Sequence, residues 1–171
     1  RRHRHLHALV GTHAGLDGRD LVVGDEAQCL RGVLKLSRPI SRGIVTDWDD
    51  MEKIWHHTFY NELKIDIREH PLLLTEPALT PKAQREHTTQ MMCETFGVPA
   101  LWIGLQSVLV LYSAGRTTGV VLDSGEGLTH VACVVGGFLL PHSCARLRLG
   151  GHEVTAHLAR LLTERGHYFR T

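Results

Sequence analysis

The stretch Thr117-Thr118-Gly119-Val120-Val121-Leu122-Asp123-Ser124-Gly125-Glu126-Gly127-Leu128-Thr129-His130 decides how the chain is read. Two apolar, β-branched runs, Thr117 to Leu122 and Leu128 to Val135, flank the pentad Asp123-Ser124-Gly125-Glu126-Gly127, and that pattern predicts strand, tight glycine turn, strand. Gly125 and Gly127 have access to backbone angles denied to other residues. Successive N–H groups from Ser124 to Leu128 can therefore face one concavity and hold an anion such as a phosphate. Asp123, at the strand end, is placed to orient the water shell of a Mg²⁺ riding on that phosphate. An ordinary hairpin turn also favours Asp and Gly, so the pentad alone leaves both readings open.

Working outward, Ala100 to Leu105 reads as a buried strand and Gln106 to Ser113 as a short helix ending before Gly115. Upstream, Leu72-Leu73-Leu74 is a continuous apolar run of the buried-strand kind. Thr80-Pro81 then supplies an N-cap and first-turn proline for a helix running to Phe96 and closed by Gly97. Strand, helix, strand, helix is the order of an α/β layer. Asp47 caps a helix over 48 to about 62, with Asp49, Asp50 and Glu52 at the positive end of its dipole and Met51, Ile54, Trp55, Thr58 and Phe59 on one face. A strand at Leu21 to Val23, a weak one at Val33 to Leu36 and a turn at Pro39-Ile40-Ser41-Arg42-Gly43 precede it. Residues 1 to about 20 read as a glycine-rich loop. At the other end, Gly151 to Arg165 places Val154, Leu158, Leu161 and Leu162 on one helical face, with Gly166 as the stop.

Composition narrows the function. The 171 residues carry 19 Lys+Arg and 18 Asp+Glu, a formal charge of +1, with 43% apolar residues, which excludes an obligate polyelectrolyte binder and predicts a chain that folds. No nucleic-acid partner is expected. No apolar run approaches the ~18 residues of a membrane span, so no membrane partner is expected either. Cys29, Cys93, Cys133 and Cys144 are scattered without a C-x-x-C pair, three of them in apolar stretches, favouring a reducing, intracellular compartment. Thirteen histidines make the basic character depend on pH. His3, His5, His7 and His13 can collect a transition metal or an acidic surface, or form a solvated leader. His56-His57 reads as a helix surface and core-edge pair rather than a metal site, and Trp48, Trp55 and Trp102 read as core residues.

The run Trp102 to Gly119 leading into the pentad and on to His130 closely resembles the actin family. So do Val23-Gly24-Asp25-Glu26-Ala27-Gln28, the long stretch Gly43 to Leu63 that includes Trp48-Asp49-Asp50-Met51-Glu52-Lys53-Ile54-Trp55-His56-His57, and Leu161-Leu162-Thr163-Glu164-Arg165-Gly166. The matches run in one register over about residues 23 to 169. The resemblance implies a partial actin-like fold of the ribonuclease-H-like ATPase type, α/β, with mixed sheets and flanking helices. Residues 1–38 would be an outer-lobe segment with a mobile loop, 39–113 an inner lobe, 114–149 a second inner lobe with a phosphate hairpin, and 150–171 the start of a fourth.

The resemblance also implies ATP with Mg²⁺ as the cofactor. Asp123 matches the acidic residue near the metal, and Gly125, Glu126, Gly127 and Leu128 match the second phosphate hairpin. Gly151 falls where a backbone contact approaches the nucleoside. Gln106 and His130 match residues that order the attacking water, a sensible arrangement because phosphoryl transfer to water needs positioning and charge neutralisation more than a covalent nucleophile. Tyr112, Gly115, Thr117 and Gly137 match a groove where actin-binding proteins insert an amphipathic helix, although Tyr112 also reads as a core aromatic.

Departures from the family pattern are expected to matter. The first phosphate hairpin and most of the fourth lobe have no counterpart here, and the first residue is not Met, so a segment of a longer product is expected. Glu126 stands where actins carry aspartate, and Arg42 where they carry a methylated histidine. The loop His5 to Asp20 has a His- and Gly-rich tip in place of an apolar one. An actin-like cytoskeletal role in the cytoplasm follows, with actin, actin-binding proteins or the chain itself as partners and with weak or absent hydrolysis. A non-polymerising scaffold and a filament-coupled Mg·ATP hydrolase are the alternatives.

Overall fold

The computed structural model describes residues 9–12 and 22–168. The His-rich leader, His13, most of the loop His5 to Asp20 and Leu21 therefore lie outside the described residues. The chain divides into two compact units, Arg1–Pro71 with Met91–Pro99, and Leu72–Gln90 with Ala100–Thr171.

In the first unit β1 (Val10–Thr12), β2 (Val22–Val23) and β3 (Lys35–Ser37) form an antiparallel sheet in the order β2-β1-β3. Val10 lies opposite both Val23 and Ser37. The expectation of a loop over the first twenty residues is thus corrected, because Val10–Thr12 is the central strand. Gly11 is what permits it, since a Cβ there would stand 2.7 Å from Leu34 Cδ1. The predicted strand at Val33 to Leu36 moves to Lys35–Ser37 because Leu30 to Leu34 forms turns off α1 (Asp25–Cys29). The expected turn at Pro39 to Gly43 joins β4 (Ile40–Ser41) to β5 (Ile44–Val45). Arg42 and Gly43 both have positive φ, 50° and 75°, as a two-residue hairpin connection requires.

α2 (Trp48–His56) starts at Asp47, whose carboxylate accepts the Asp50 N–H at 3.0 Å. Met51 and Ile54 bury against Val10 and Val23, with Val45 and Trp55 packed alongside. The helix then widens to π-helical turns over His57–Leu63 and stops at Lys64, φ 55°. Phe59 meets Phe96 edge-on, ring centroids 5.4 Å apart, so the segment Met91–Pro99, in which Met92 is fully buried, belongs to this unit's core.

The second unit begins with the parallel pair β6 (Leu72–Glu76) and β7 (Leu101–Leu105), registered Leu72 to Leu101. A parallel pair needs a long crossover, and the predicted helix supplies it. It is α-helical over Lys82–Gln90, α3, and π-helical over Met91–Thr95. The Thr80 hydroxyl donates to Pro77 O at 2.8 Å, and Glu76, buried, is paired with Arg85. α4 (Gln106–Ser113) matches its predicted span. β8 (Gly119–Ser124) and β9 (Thr129–Val135) form the predicted hairpin, to which β10 (Phe138–Leu139) and β11 (Ala145–Leu147) add. Leu111 of α4 packs on Val121 and Val134, with Val108 and Leu139 beside them. α5 (Gly151–Glu164) closes the described chain.

One burial expectation is corrected. Trp102 is 67% exposed, and its register partner on the β6–β7 pair, Leu73, is exposed as well. Val154, Leu158 and Leu161 do line one face of α5, yet none is buried. Cys29 and Cys93 are exposed and Cys133 and Cys144 half-buried, all as free thiols.

Candidate functional site

The hairpin carries the acidic residue and the imidazole on one rung. Antiparallel register sets Asp123 opposite His130 and Ser124 opposite Thr129. His130 is 3% exposed, and its Nε2 lies 4.0 Å from Asp123 Oδ2, too far for a hydrogen bond. That Nε2 is buried without a hydrogen-bond partner. Ser124 Oγ and Thr129 Oγ1 share a 2.7 Å bond that closes the strand ends.

The turn is narrower than the pentad implied, since Asp123 and Ser124 belong to β8 and the reversal is made by Gly125, Glu126, Gly127 and Leu128. Gly125 N–H donates to Leu128 O at 2.9 Å. Neither Gly125 nor Gly127 has positive φ, so the left-handed freedom expected of them is not used. A glycine that sequence reasoning passed over sets the geometry instead. A Cβ on Gly150 would stand 2.4 Å from Glu126 O and 2.9 Å from Gly125 O. This allows the start of α5 to seat on the turn, with Gly151 N–H donating to Gly125 O at 2.9 Å and His152 N–H to Glu126 O at 2.8 Å. Gly150 N–H in turn donates to Glu153 Oε2 at 2.9 Å. The doublet Gly150-Gly151 was the available signal, because adjacent glycines mark a close backbone approach.

Gln106 opens α4, and its amide donates weakly to Thr75 Oγ1 at 3.4 Å. The next residue, Ser107, is 1% exposed with its Oγ unpartnered, a feature the sequence did not announce.

The four groove residues also come together. Tyr112, 50% exposed, lies in the last turn of α4, and its hydroxyl would lie 2.3 Å from a Cβ on Gly137, which has φ 86°. Gly137 N–H donates to Thr117 O at 2.7 Å, and Gly115 N–H to Tyr112 O at 2.9 Å. Thr118, not singled out from sequence, accepts Gly136 N–H on its Oγ1 at 3.0 Å. The core reading of Tyr112 is thereby set aside in favour of a ring lying over backbone at the surface.

In the first unit, His57 Nδ1 lies 3.2 Å from Asn61 Nδ2 and its Nε2 3.5 Å from Glu62. His57 and Asn61, with Val23, Glu52, Lys53 and His56, line an open groove of about 400 Å³. Among the described residues no group of three or more His, Cys, Asp and Glu side chains can hold a metal ion. No described helix is long and apolar enough to cross a membrane.

A protein-family model described as Actin matches residues 3–169.

Proposed function

The chain belongs to the actin family, and on that premise we propose that it is an actin-like cytoskeletal assembly protein of the cytoplasm whose β8–β9 hairpin binds the phosphate end of Mg·ATP. The observation that carries this reading is the Asp123–His130 rung. A half-exposed carboxylate stands beside a buried imidazole nitrogen with no protein partner. Beside them lies a main-chain turn whose backbone approach a Cβ on Gly150 would block. These residues suit the group. Asp123 would hold the metal's water shell, and Gly125, Glu126, Gly127 and Leu128 would line the phosphates. Gly151 would approach the nucleoside, while Gln106 and His130 would order water.

Bound Mg·ATP supplies a phosphoryl group for transfer to water. The chain's own contribution is positional, and Glu126, one methylene longer than the aspartate found in actins, holds its carboxylate differently. Hydrolysis is therefore weak or absent in this proposal.

A thermal melt with and without Mg·ATP tests it. Ligand at about a hundred times its dissociation constant adds ~2.7 kcal/mol to the folded state, so the midpoint should rise, and Asp123→Ala should abolish the rise. No rise on a cooperative transition would refute nucleotide binding.

The groove favours a second role. With Tyr112 half exposed over Gly137, an amphipathic helix of an actin-binding protein has an aromatic anchor and bare backbone to lie against. If this scaffold role stands alone, Tyr112→Ala abolishes partner binding while Asp123→Ala leaves it intact.

A further inference from the structure

Among the described residues two buried side-chain atoms lack a hydrogen-bond partner, Ser107 Oγ and His130 Nε2. Leaving either unmet is unfavourable, and a hydroxyl is the complement of an imidazole lone pair.

Topology brings them to the same interface. On α4, Ser107 shares a stripe with Leu111, four residues on. On β9, His130 shares a face with Ala132 and Val134, at intervals of two. Leu111 packs on Val121 and Val134, and its Cδ2 would stand 3.0 Å from a Cβ on Gly119, so these two stripes face each other. The short connection Ala114–Thr118 reverses the chain between α4 and β8. The start of the helix is thereby carried away from the Gly119–Val134 rung and toward the Asp123–His130 rung. Ser107 lies one helical turn from Leu111 in that direction, and His130 two rungs beyond Val121, on which Leu111 packs.

We propose that Ser107 is a positioning residue for His130, its hydroxyl and Nε2 joined through one buried water that donates to Nε2 and so holds the ring proton on Nδ1. With its lone pair engaged, Nε2 cannot donate to Asp123. The carboxylate, already 4.0 Å away and half exposed, stays turned toward the mouth of the hairpin. The contact is a property of the chain itself, whereas its functional weight rests on the nucleotide reading above.

The test uses the nucleotide-free chain, so that its failure is separate from a failure to bind ATP. Imidazole ¹⁵N shifts of His130 are measured at a pH where the ring is neutral, in the parent protein and in Ser107→Ala. Loss of one hydrogen bond should change the ratio of the two neutral tautomers by about two- to tenfold. Ala is a better helix former than Ser and removes one oxygen, so folding should survive. Independently of any variant, the parent protein should show a slowly exchanging Ser107 hydroxyl proton with a nuclear Overhauser contact to the His130 ring or to a bound water beside it. An unchanged tautomer ratio in Ser107→Ala, or a ratio moved only by Asp123→Asn, would overturn the assignment and make the carboxylate the partner of Nε2.

Discussion

Gly150 and Gly125 both flank the hairpin, yet they carry opposite structural demands. Gly150 has extended backbone that any residue adopts, so its constraint is space. A Cβ would stand 2.4 Å from Glu126 O and 2.7 Å from Glu126 C, both main-chain atoms held by the α5 contacts. Gly150→Ala should therefore destabilise the chain by about 1–3 kcal/mol, the scale of overpacking a fixed site. At Gly125 the nearest atom to a Cβ is Leu128 O at 3.7 Å, an ordinary contact, and the φ is not left-handed. Gly125→Ala should stay within about 1 kcal/mol of the parent. Urea titrations of both variants check the pair, and equal effects would mean that the turn is positioned by something other than the Gly150 approach. The same contrast shows what was legible. Asp123 and the turn were readable because strand alternation and Gly spacing are local signals, and His130 was readable through the resemblance to the actin family. Gly150 was marked only by its doublet with Gly151, because its reason is a turn twenty-five residues upstream.

At the scale of the element, α2 concentrates the clearest electrostatics. Burial alone would push the Asp50 carboxyl up, but hydrogen bonds from Lys53, at 2.8 Å, and from Ser37, together with the Lys53 charge, outweigh it and hold the group below the ordinary aspartate range. The Lys53 ammonium is raised, chiefly by the same bond. For a depressed carboxyl the stabilisation is complete above the unfolded value of about 3.9 and is lost as pH falls through the lower folded value. Asp50→Asn should thus lower stability near neutrality and flatten the loss on acidification below about pH 4, as chemical denaturation across that range would show. An acid limb as steep as the parent's would exclude Asp50 from it. Removing the cap, Asp47→Ala, should cost about 1 kcal/mol.

Elements were legible in proportion to their length and periodicity. α2, α4, β6, β7 and the hairpin stand close to their expected spans because several consecutive residues agree on one pattern. β1 is three residues beside glycine-rich sequence, and its pairing with β2 and β3 is a tertiary choice that no local window contains. The π-helical widening at His57–Leu63 and Met91–Thr95 was equally unreadable, since the apolar positions fit an ordinary helix.

For the molecule as a whole, the fold class was legible and the burial was not. Periodicity says which residues share a face, but whether anything lies on that face depends on chain elsewhere. Leu73 and Trp102 are register partners on the β6–β7 pair, 55% and 67% exposed, and the Trp102 indole lies along Gly104 rather than in a core. Val120 and Leu122 on β8, and Val154, Leu158 and Leu161 on α5, are likewise exposed. Apolar surface on this scale favours association, and burying one large apolar side chain contributes about 1.5–3 kcal/mol. The isolated chain should therefore be marginally stable and should self-associate reversibly with rising concentration in sedimentation velocity runs. Leu73→Lys with Trp102→Lys should weaken that association at least about tenfold, since about 1.4 kcal/mol corresponds to a factor of ten. Val120→Lys with Leu122→Lys locates the contact if the first pair leaves it unchanged. A monomer at every concentration, with a cooperative melt, would mean that these faces are tolerated singly in water and that partner choice rests on the Tyr112 groove instead.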